Sequence, residues 1–219
     1  MGKSKRSQRL FNAPEWGIHY LTENPIFHDI SYFLGNYLPK QWPTLDWLNT
    51  YCASAIKHRN GIEYFEFIEQ DEAISAIGYE QHIEQHHQVP TRLNNWHDFF
   101  NAACWASFPL TKFQFNKLHI SESNNSKNTA QANRSRSRDL LTLIDESGIL
   151  IAYSSDHHLK LNQAHDWNRL FVREKNAWMS QLKPFIIGHG LYEQCVTPYI
   201  GLTAKAHYIK VEPTFFTTS

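Results

Sequence analysis

The sequence predicts a single α+β domain in which a small, mainly antiparallel sheet built from hairpins packs against several helices. Aromatic residues recur at helical spacing between residues 94 and 119, and paired β-rich runs flank turn residues near 62–79 and 139–153. Helical and strand patterns do not alternate regularly, and no GxGxxG or Walker motif is present. A doubly wound nucleotide-binding fold is therefore not expected.

Composition indicates one sizeable hydrophobic core and no net charge that would produce a strong electrostatic field. The chain has 219 residues, of which 42% are hydrophobic and 14% aromatic, enough to fold rather than stay disordered. Its 21 basic and 21 acidic residues cancel, so the total charge would not draw it to nucleic acid or anionic lipid. Thirteen histidines make metal binding or proton transfer worth testing.

The apolar runs, the amino-terminal residues and the cysteines indicate the cellular compartment. We expect no membrane span, because no run approaches the roughly 18 to 20 apolar residues that a bilayer requires. The first residues, MGKSKRSQR, are not followed by the apolar segment of a signal peptide. Cys52, Cys104 and Cys195 are odd in number and form no CxxC pair. A cytoplasmic protein with reduced thiols is expected, Cys104 being a small buried filler rather than a nucleophile.

Three regions differ in composition. Residues 1–12 are basic and have little to bury, which predicts a flexible arm ahead of a domain spanning 13–219. Residues 121–137 are polar and of low complexity, which predicts a flexible loop within that domain. Thr44 starts a helix that is expected to run through His58.

The first predicted hairpin lies near 62–79. Its strands are IEYFEFIEQ and AISAIGYEQHI, separated by the polar break at residues 70–72. His82 and His86 would form a metal pair if this segment were helical, since they are four residues apart. A strand edge with solvated histidines is the interpretation we favour.

Two short helices are predicted to meet at Pro109, which lacks an amide proton and disfavours helical angles at the preceding residue. Asn94 or Asn95 would cap the first helix. Its polar face carries His97, Asp98 and Asn101, and that of the second helix carries Lys112, Asn116 and His119. The other residues are bulky and apolar, so these groups either line a pocket or serve as caps and solvent-facing charges.

The second predicted hairpin pairs Leu140–Ile144 with Ile149–Tyr153 across turn residues 145–148. Three arginines precede it, and they could form an anion-binding rim: Arg134, Arg136 and Arg138. Asp139 is expected to hydrogen-bond the pocket or to pair with Arg138.

The carboxyl-terminal part adds a second group of candidates. His189 lies between two glycines, and Glu193 would share its helix face four residues later, which permits metal binding or an acid–base pair. A helix-start histidine held by a salt bridge remains the alternative. In the final strand, predicted over residues 201–211, Lys205 has small neighbours and could reach a phosphate or carboxylate.

Five sequence blocks carry a family resemblance over roughly residues 40 to 212. They are VPTRLNNWHDFFNAACWASFPLTKFQFNKLH, RDLLTLIDESGILIAYS, DWNRLFV, IIGHGLYEQ and GLTAKA. The chain resembles the bacterial family catalogued as domain of unknown function 3025. That family brings no catalytic roles, so the resemblance implies only that most of the candidate residues above belong to its motif blocks.

The leading functional hypothesis is a hydrolase acting on an anionic or phosphorylated substrate. His97, His119, His189 and Glu193, with Asp98, would bind a divalent metal such as zinc, manganese or iron, or would share proton transfer. The remaining polar candidates would bind the substrate: Asn101, Lys112, Asn116, Arg138, Asp139 and Lys205. The alternative is a non-catalytic module that binds a nucleotide, RNA or peptide through a local basic and aromatic surface.

Overall fold

Helices make up most of the regular structure in residues 14–34, 37–127 and 136–217, the parts of the chain that the computed structural model describes. The helices of the amino-terminal half are α1 (Ile18–Glu23), α2 (His28–Leu34), α3 (Leu45–Leu48), α4 (Ser54–Asn60), α5 (Glu72–Ile77), α6 (Tyr79–His86) and α7 (Trp96–Ser107). Those that follow are α8 (Pro109–Lys127), α9 (Arg136–Ser147), α10 (Asp156–Gln163), α11 (Lys175–Met179) and α12 (His189–Val196). The predicted basic arm and Arg134 lie outside the described residues.

The strands form two small sheets. They are β1 (Glu66–Glu69), β2 (Gln88–Thr91), β3 (Gly148–Tyr153), β4 (Leu182–Ile186) and β5 (Lys205–Lys210). β1 pairs with β2 in parallel, while β3 pairs with β4 antiparallel and with β5 in parallel. The α+β class is confirmed, but the prediction of a mainly antiparallel sheet built from hairpins is wrong.

Both predicted hairpins fail because one strand of each is a helix. The segment after β1 forms α5 and α6, and these helices provide the crossover that a parallel β1–β2 pair requires. Leu140–Ile144 lies within α9, so residues 145 and 146 belong to the last turn of a helix and not to a hairpin turn. The segment Ile149–Tyr153 is a strand, as predicted.

The predicted helix pair at 94–119 is present as α7 and α8. α7 is almost entirely buried and contacts α2, α4, α8 and α12, so it forms the centre of the core. Trp96 and Trp105, 2% and 1% exposed, pack against aromatic rings from other elements. The sequence predicted a loop over residues 121–137, but α8 continues through Lys127 and α9 begins at Arg136, so both ends of that range are helical. Residues 128–135 of that predicted loop lie outside the described ranges.

Asn95 is the residue that caps α7. It has extended backbone angles, and its side-chain oxygen accepts a hydrogen bond from the Asp98 amide at 3.1 Å. Asn95→Ala should therefore lower the free energy of unfolding by about 1 kcal/mol, measured by urea denaturation. Asn95→Ser keeps an acceptor and should cost much less. Equal losses in the two variants would contradict the capping role.

No helix in the described ranges is both long enough and apolar enough to cross a bilayer.

Candidate functional site

A cavity of about 260 Å³ lies where α6, α7, α8, α9 and the start of α12 meet. Seven of the residues predicted from sequence line it: His97, Asp98, Asn101, Lys112, Asn116, His119 and His189. Further polar residues complete the lining: Gln70, Tyr79, Glu80, Arg92, Thr142, Asp145 and Glu146. The two helix faces identified by their spacing therefore face a common space.

Three side chains converge within this cavity although they come from three different helices. The Nε2 atoms of His97 and His189 lie 3.0 Å apart. The Oε1 atom of Glu146 lies 3.9 Å from Nε2 of His97 and 3.7 Å from Nε2 of His189. Metals with bonds of about 2.0–2.2 Å hold neighbouring ligands roughly 3.0–3.5 Å apart, so a small shift of Glu146 would complete a three-ligand site.

The outer nitrogen of each imidazole faces another carboxylate. Nδ1 of His97 lies 2.9 Å from Oε2 of Glu193, at hydrogen-bond distance. Nδ1 of His189 lies 3.8 Å from Oδ2 of Asp145, which is too long for a direct hydrogen bond. Carboxylates on the outer nitrogens of histidine ligands fix the ring orientation and tautomer, and this arrangement is typical of metal centres.

The glycines around His189 allow α9 to approach so closely. A Cβ atom at residue 190 would lie 2.4 Å from Oε2 of Glu146, and one at residue 188 would lie 2.5 Å from the Gly148 nitrogen. A larger residue at 188 would push the end of α9 away from α12, and one at 190 would displace the Glu146 carboxylate. The sequence Gly188-His189-Gly190 is thus a condition for bringing His189 and Glu146 together.

The two histidines have opposite pKa shifts. The hydrogen bond to Glu193, together with the charge of Glu146, raises the pKa of His97 despite partial burial. Burial, reinforced by the positive charge of Lys112, lowers the pKa of His189 to about 3. At neutral pH His189 is therefore neutral and has a lone pair, as a metal ligand or a proton acceptor must.

Lys112 neutralises the negative charge of Asp145, the carboxylate that faces Nδ1 of His189. Its ammonium group, 5% exposed, lies 2.6 Å from Oδ1 of Asp145 and 5.7 Å from the centre of the Trp105 ring. Burial alone would raise the pKa of Asp145, but Lys112 and His189 outweigh it and the pKa is lowered. Lys112 thus already has an anionic partner inside the protein.

Asp98 also has its partner within the protein. Its carboxylate accepts two hydrogen bonds of 2.9 Å from the Arg92 guanidinium and one of 2.6 Å from the Arg92 amide. This geometry favours a structural pairing role for Asp98, which is the alternative to a role in the pocket.

The remaining predicted residues lie elsewhere. Glu193 lies on the outer side of the His97 ring, away from the convergent Nε2 atoms. Arg138 lines an adjoining cavity of about 310 Å³, which shares Glu80 and His119 with the main one. Asp139 and Lys205 are exposed and do not line the main cavity.

Sequence reasoning missed Asp145 and Glu146 because it assigned them to a turn. A helical pattern was available: Arg138, Thr142 and Asp145 follow one another at i, i+4 and i+7, which places them on one face. Cys104, in contrast, fits the expectation of a filler, since burial raises the pKa of its thiol to about 12.

A second group of potential ligands lies away from this cavity. Nε2 of His157 and Nε2 of His158 lie 2.9 and 3.1 Å from Oε2 of Glu174. Arg169 binds the other oxygen of Glu174 at 2.6 Å. The guanidinium already neutralises this carboxylate, which makes the group a surface ion-pair cluster and a useful control for the main site.

Comparison with known proteins identifies the family but no activity. No curated protein and no solved structure matches the chain. A family described as "Protein of unknown function (DUF3025)" matches residues 65–219, more than two thirds of the chain. The matched range includes the three convergent residues His97, Glu146 and His189. The chain therefore belongs to the DUF3025 family.

Proposed function

We propose that the chain is a hydrolase whose cavity binds one divalent metal ion through His97, His189 and Glu146. The observation that carries the proposal is the convergence of two Nε2 atoms and one carboxylate oxygen at 3.0–3.9 Å on the wall of a cavity. Two imidazoles and a carboxylate suit zinc, manganese or iron, and three protein ligands leave coordination positions open for water and substrate.

The chain's own residues would hold and adjust such a centre. A bound metal would supply Lewis acidity and lower the pKa of a coordinated water. Glu193 would orient His97 through Nδ1, and Asp145 would place negative charge behind His189 while Lys112 balances it. His119, also in the cavity lining, is the candidate for proton transfer to a leaving group.

The proposed substrate is anionic or phosphorylated at its reacting group. Arg92 and Lys112, the cations of the main cavity lining, each form an ion pair with a carboxylate. The metal would therefore be the main group that offsets the negative charge of a substrate. Arg138, in the adjoining cavity, could contact the end of the substrate that lies away from the metal.

The non-catalytic binding module has less support. It needs an exposed surface of basic and aromatic side chains, whereas the polar candidates on the two central helices are largely buried around the cavity. Titratable groups of opposite pKa shift gathered in a concave site favour an enzyme instead.

Elemental analysis of tag-free protein, purified without chelator and loaded with zinc, manganese or iron(II), tests the metal site. We expect about one tightly bound ion per chain in the wild type and a loss of that ion in Glu146→Gln. The matched variant Glu174→Gln makes the same change in the other histidine–glutamate group and should retain the ion. Loss in Glu174→Gln alone would place the metal there, and a wild type that cannot be loaded would overturn the proposal.

Loaded protein can then be assayed with p-nitrophenyl phosphate and p-nitrophenyl acetate. We expect turnover that chelator abolishes and that Glu146→Gln lacks. Stoichiometric metal without turnover of phosphate or acyl substrates would support a metal site but contradict the hydrolase.

A further inference from the structure

A second cavity, of about 280 Å³, shares no lining residue with the main cavity. It lies between the start of α7, which contributes Trp96, and the carboxyl-terminal half of α12. The Trp96 indole donates a hydrogen bond of 2.8 Å to the Pro14 carbonyl, which fixes a further part of the wall. Glu193 also lines this cavity, and its Oε2 atom lies 2.9 Å from Nδ1 of His97. These two side chains therefore connect the second cavity to the proposed metal centre.

The lining of the second cavity is mainly apolar and aromatic. Trp96, Val196 and Tyr199 contribute to it, and Glu193 is the one charged side chain among the described residues that line it. The Tyr199 hydroxyl donates a hydrogen bond of 3.1 Å to Oε1 of Gln194, so these two polar side chains are paired with one another. Such a site suits a compact apolar molecule with few polar groups. Benzene fits an apolar cavity of roughly 150 Å³, so the second cavity has room for a substituted ring.

One oxygen of Glu193 is open to this cavity. Oε2 contacts His97, whereas Oε1 accepts no hydrogen bond from any residue in the described ranges. Oε1 is not among the buried polar atoms, and the Glu193 side chain is 39% exposed. Because Glu193 lines the second cavity and not the main one, a molecule in the second cavity can reach this oxygen directly.

The surroundings of Glu193 favour a neutral hydrogen-bond donor as its partner. The hydrogen bond from His97 to Glu193 raises the pKa of the imidazole, and a proton or a metal on His97 offsets the charge of the carboxylate. The cavity therefore does not require a cation, and the carboxylate repels an anion. A hydroxyl group that donates to a carboxylate still forms a strong hydrogen bond, because its acceptor is ionised.

We propose that the second cavity binds a compact uncharged phenol or alcohol whose hydroxyl donates to Oε1 of Glu193. Its apolar body packs against Trp96 and Val196. The ligand shares Glu193 with His97 and draws negative charge away from the imidazole, so it acts on the metal centre without touching the metal. The binding contact goes beyond the proposed function, and only its effect on the metal rests on that function.

The test titrates the ¹⁵N-labelled full chain with phenol in the presence of EDTA and follows the backbone amides of Val196 and Thr197 by NMR. We expect saturable shifts of both amides. Anisole has the same ring but a methylated oxygen that cannot donate a hydrogen bond, so it should bind at least about tenfold more weakly. Thr197→Trp should fill the cavity from an exposed position and weaken phenol binding at least about tenfold.

Ile200→Trp is the matched control, because it adds the same ring at an exposed position that does not line the cavity. It should bind phenol as the wild type does. Equal phenol affinities in the two tryptophan variants would overturn the inference, and so would anisole that binds within twofold of phenol. A wild type in which phenol causes no saturable shift of either amide would also overturn it, and this measurement needs no variant to fold.

The effect on the metal is measured separately, by competition with a chromophoric chelator. Saturating phenol should weaken metal binding by the wild type by about threefold or more, though by less than the 10- to 100-fold expected for loss of an outer-shell partner. The same phenol should leave Thr197→Trp unchanged. Unaltered metal affinity in the wild type, or an equal effect in Thr197→Trp, would overturn the coupling. Because the NMR titration contains EDTA, its failure is distinct from failure of the metal site, which elemental analysis reports.

Discussion

Replacing Lys112 by methionine should lower the free energy of unfolding by about 3 kcal/mol at pH 7. Methionine fills a similar volume, so the loss arises mainly from the Asp145 carboxylate that remains without its cation 2.6 Å away. Breaking one partner of a buried ion pair is costly because the other charge stays desolvated. Urea denaturation of metal-free protein measures the effect, and Lys117→Met, an exposed position on the same helix, is the matched control.

The loss in Lys112→Met should also depend on pH. In the wild type the pKa of Asp145 is lowered, so its ion pair stabilises the fold above the unfolded pKa of about 3.9 and is lost as the pH falls through the folded pKa. Without Lys112, burial raises this pKa, and protonation relieves the uncompensated charge. The difference between the two proteins should therefore shrink as the pH falls toward about 4.

A double-mutant cycle separates the ion pair from the packing of its members. The double variant Lys112→Met, Asp145→Asn should lose less free energy of unfolding than the sum of the losses in the two single variants, because neither charge is left without its partner. If Lys112→Met lowers the free energy of unfolding no more than Lys117→Met does, Asp145 remains well solvated. The interpretation of Lys112 and Asp145 as a buried ion pair would then be wrong.

The helices α7 and α8 were predictable from local signals. Pro109 separates them, Asn95 caps the first, and the polar residues repeat every three to four positions among aromatics. These signals act within one or two turns, so the sequence alone reveals them. The same spacing places the polar residues on one face of each helix, and in the structure both faces line the cavity.

The end of α9 was not predictable in the same way. Leu140–Ile144 contains four aliphatic residues in five positions, a run that masks helical periodicity and also suits a buried strand. Asp145 to Gly148 then looks like a hairpin turn. A strand and turn would have removed Asp145 and Glu146 from the site, and the error in secondary structure therefore became an error in the candidate ligands.

Nonlocal pairing explains the errors in the sheets. β3 pairs in parallel with β5, more than fifty residues later, and no local pattern encodes such a register. Gly78, with a φ of +98°, divides a helical segment into α5 and α6, and the division weakened the helical pattern there. The approach of His189 to Glu146 depends on the same tertiary arrangement, although the flanking glycines were visible in the sequence.

Glu193→Gln should weaken metal binding by about 10- to 100-fold while leaving the stoichiometry intact. Glu193 lies on Nδ1 of His97, whereas the convergent atoms are the Nε2 atoms, so we expect it to orient and polarise the ring without touching the metal. Glutamine can still accept the hydrogen bond but lacks the negative charge that strengthens the imidazole as a donor to the metal.

Competition with a chromophoric chelator measures that affinity. Exposed Glu212→Gln makes the same change in net charge and should bind metal as the wild type does. Complete loss of binding in Glu193→Gln would make Glu193 a direct ligand, as the sequence suggested, and unchanged affinity would remove it from the site. The melting temperature of metal-free protein separates these outcomes from misfolding, since an orienting role alters affinity at nearly constant stability.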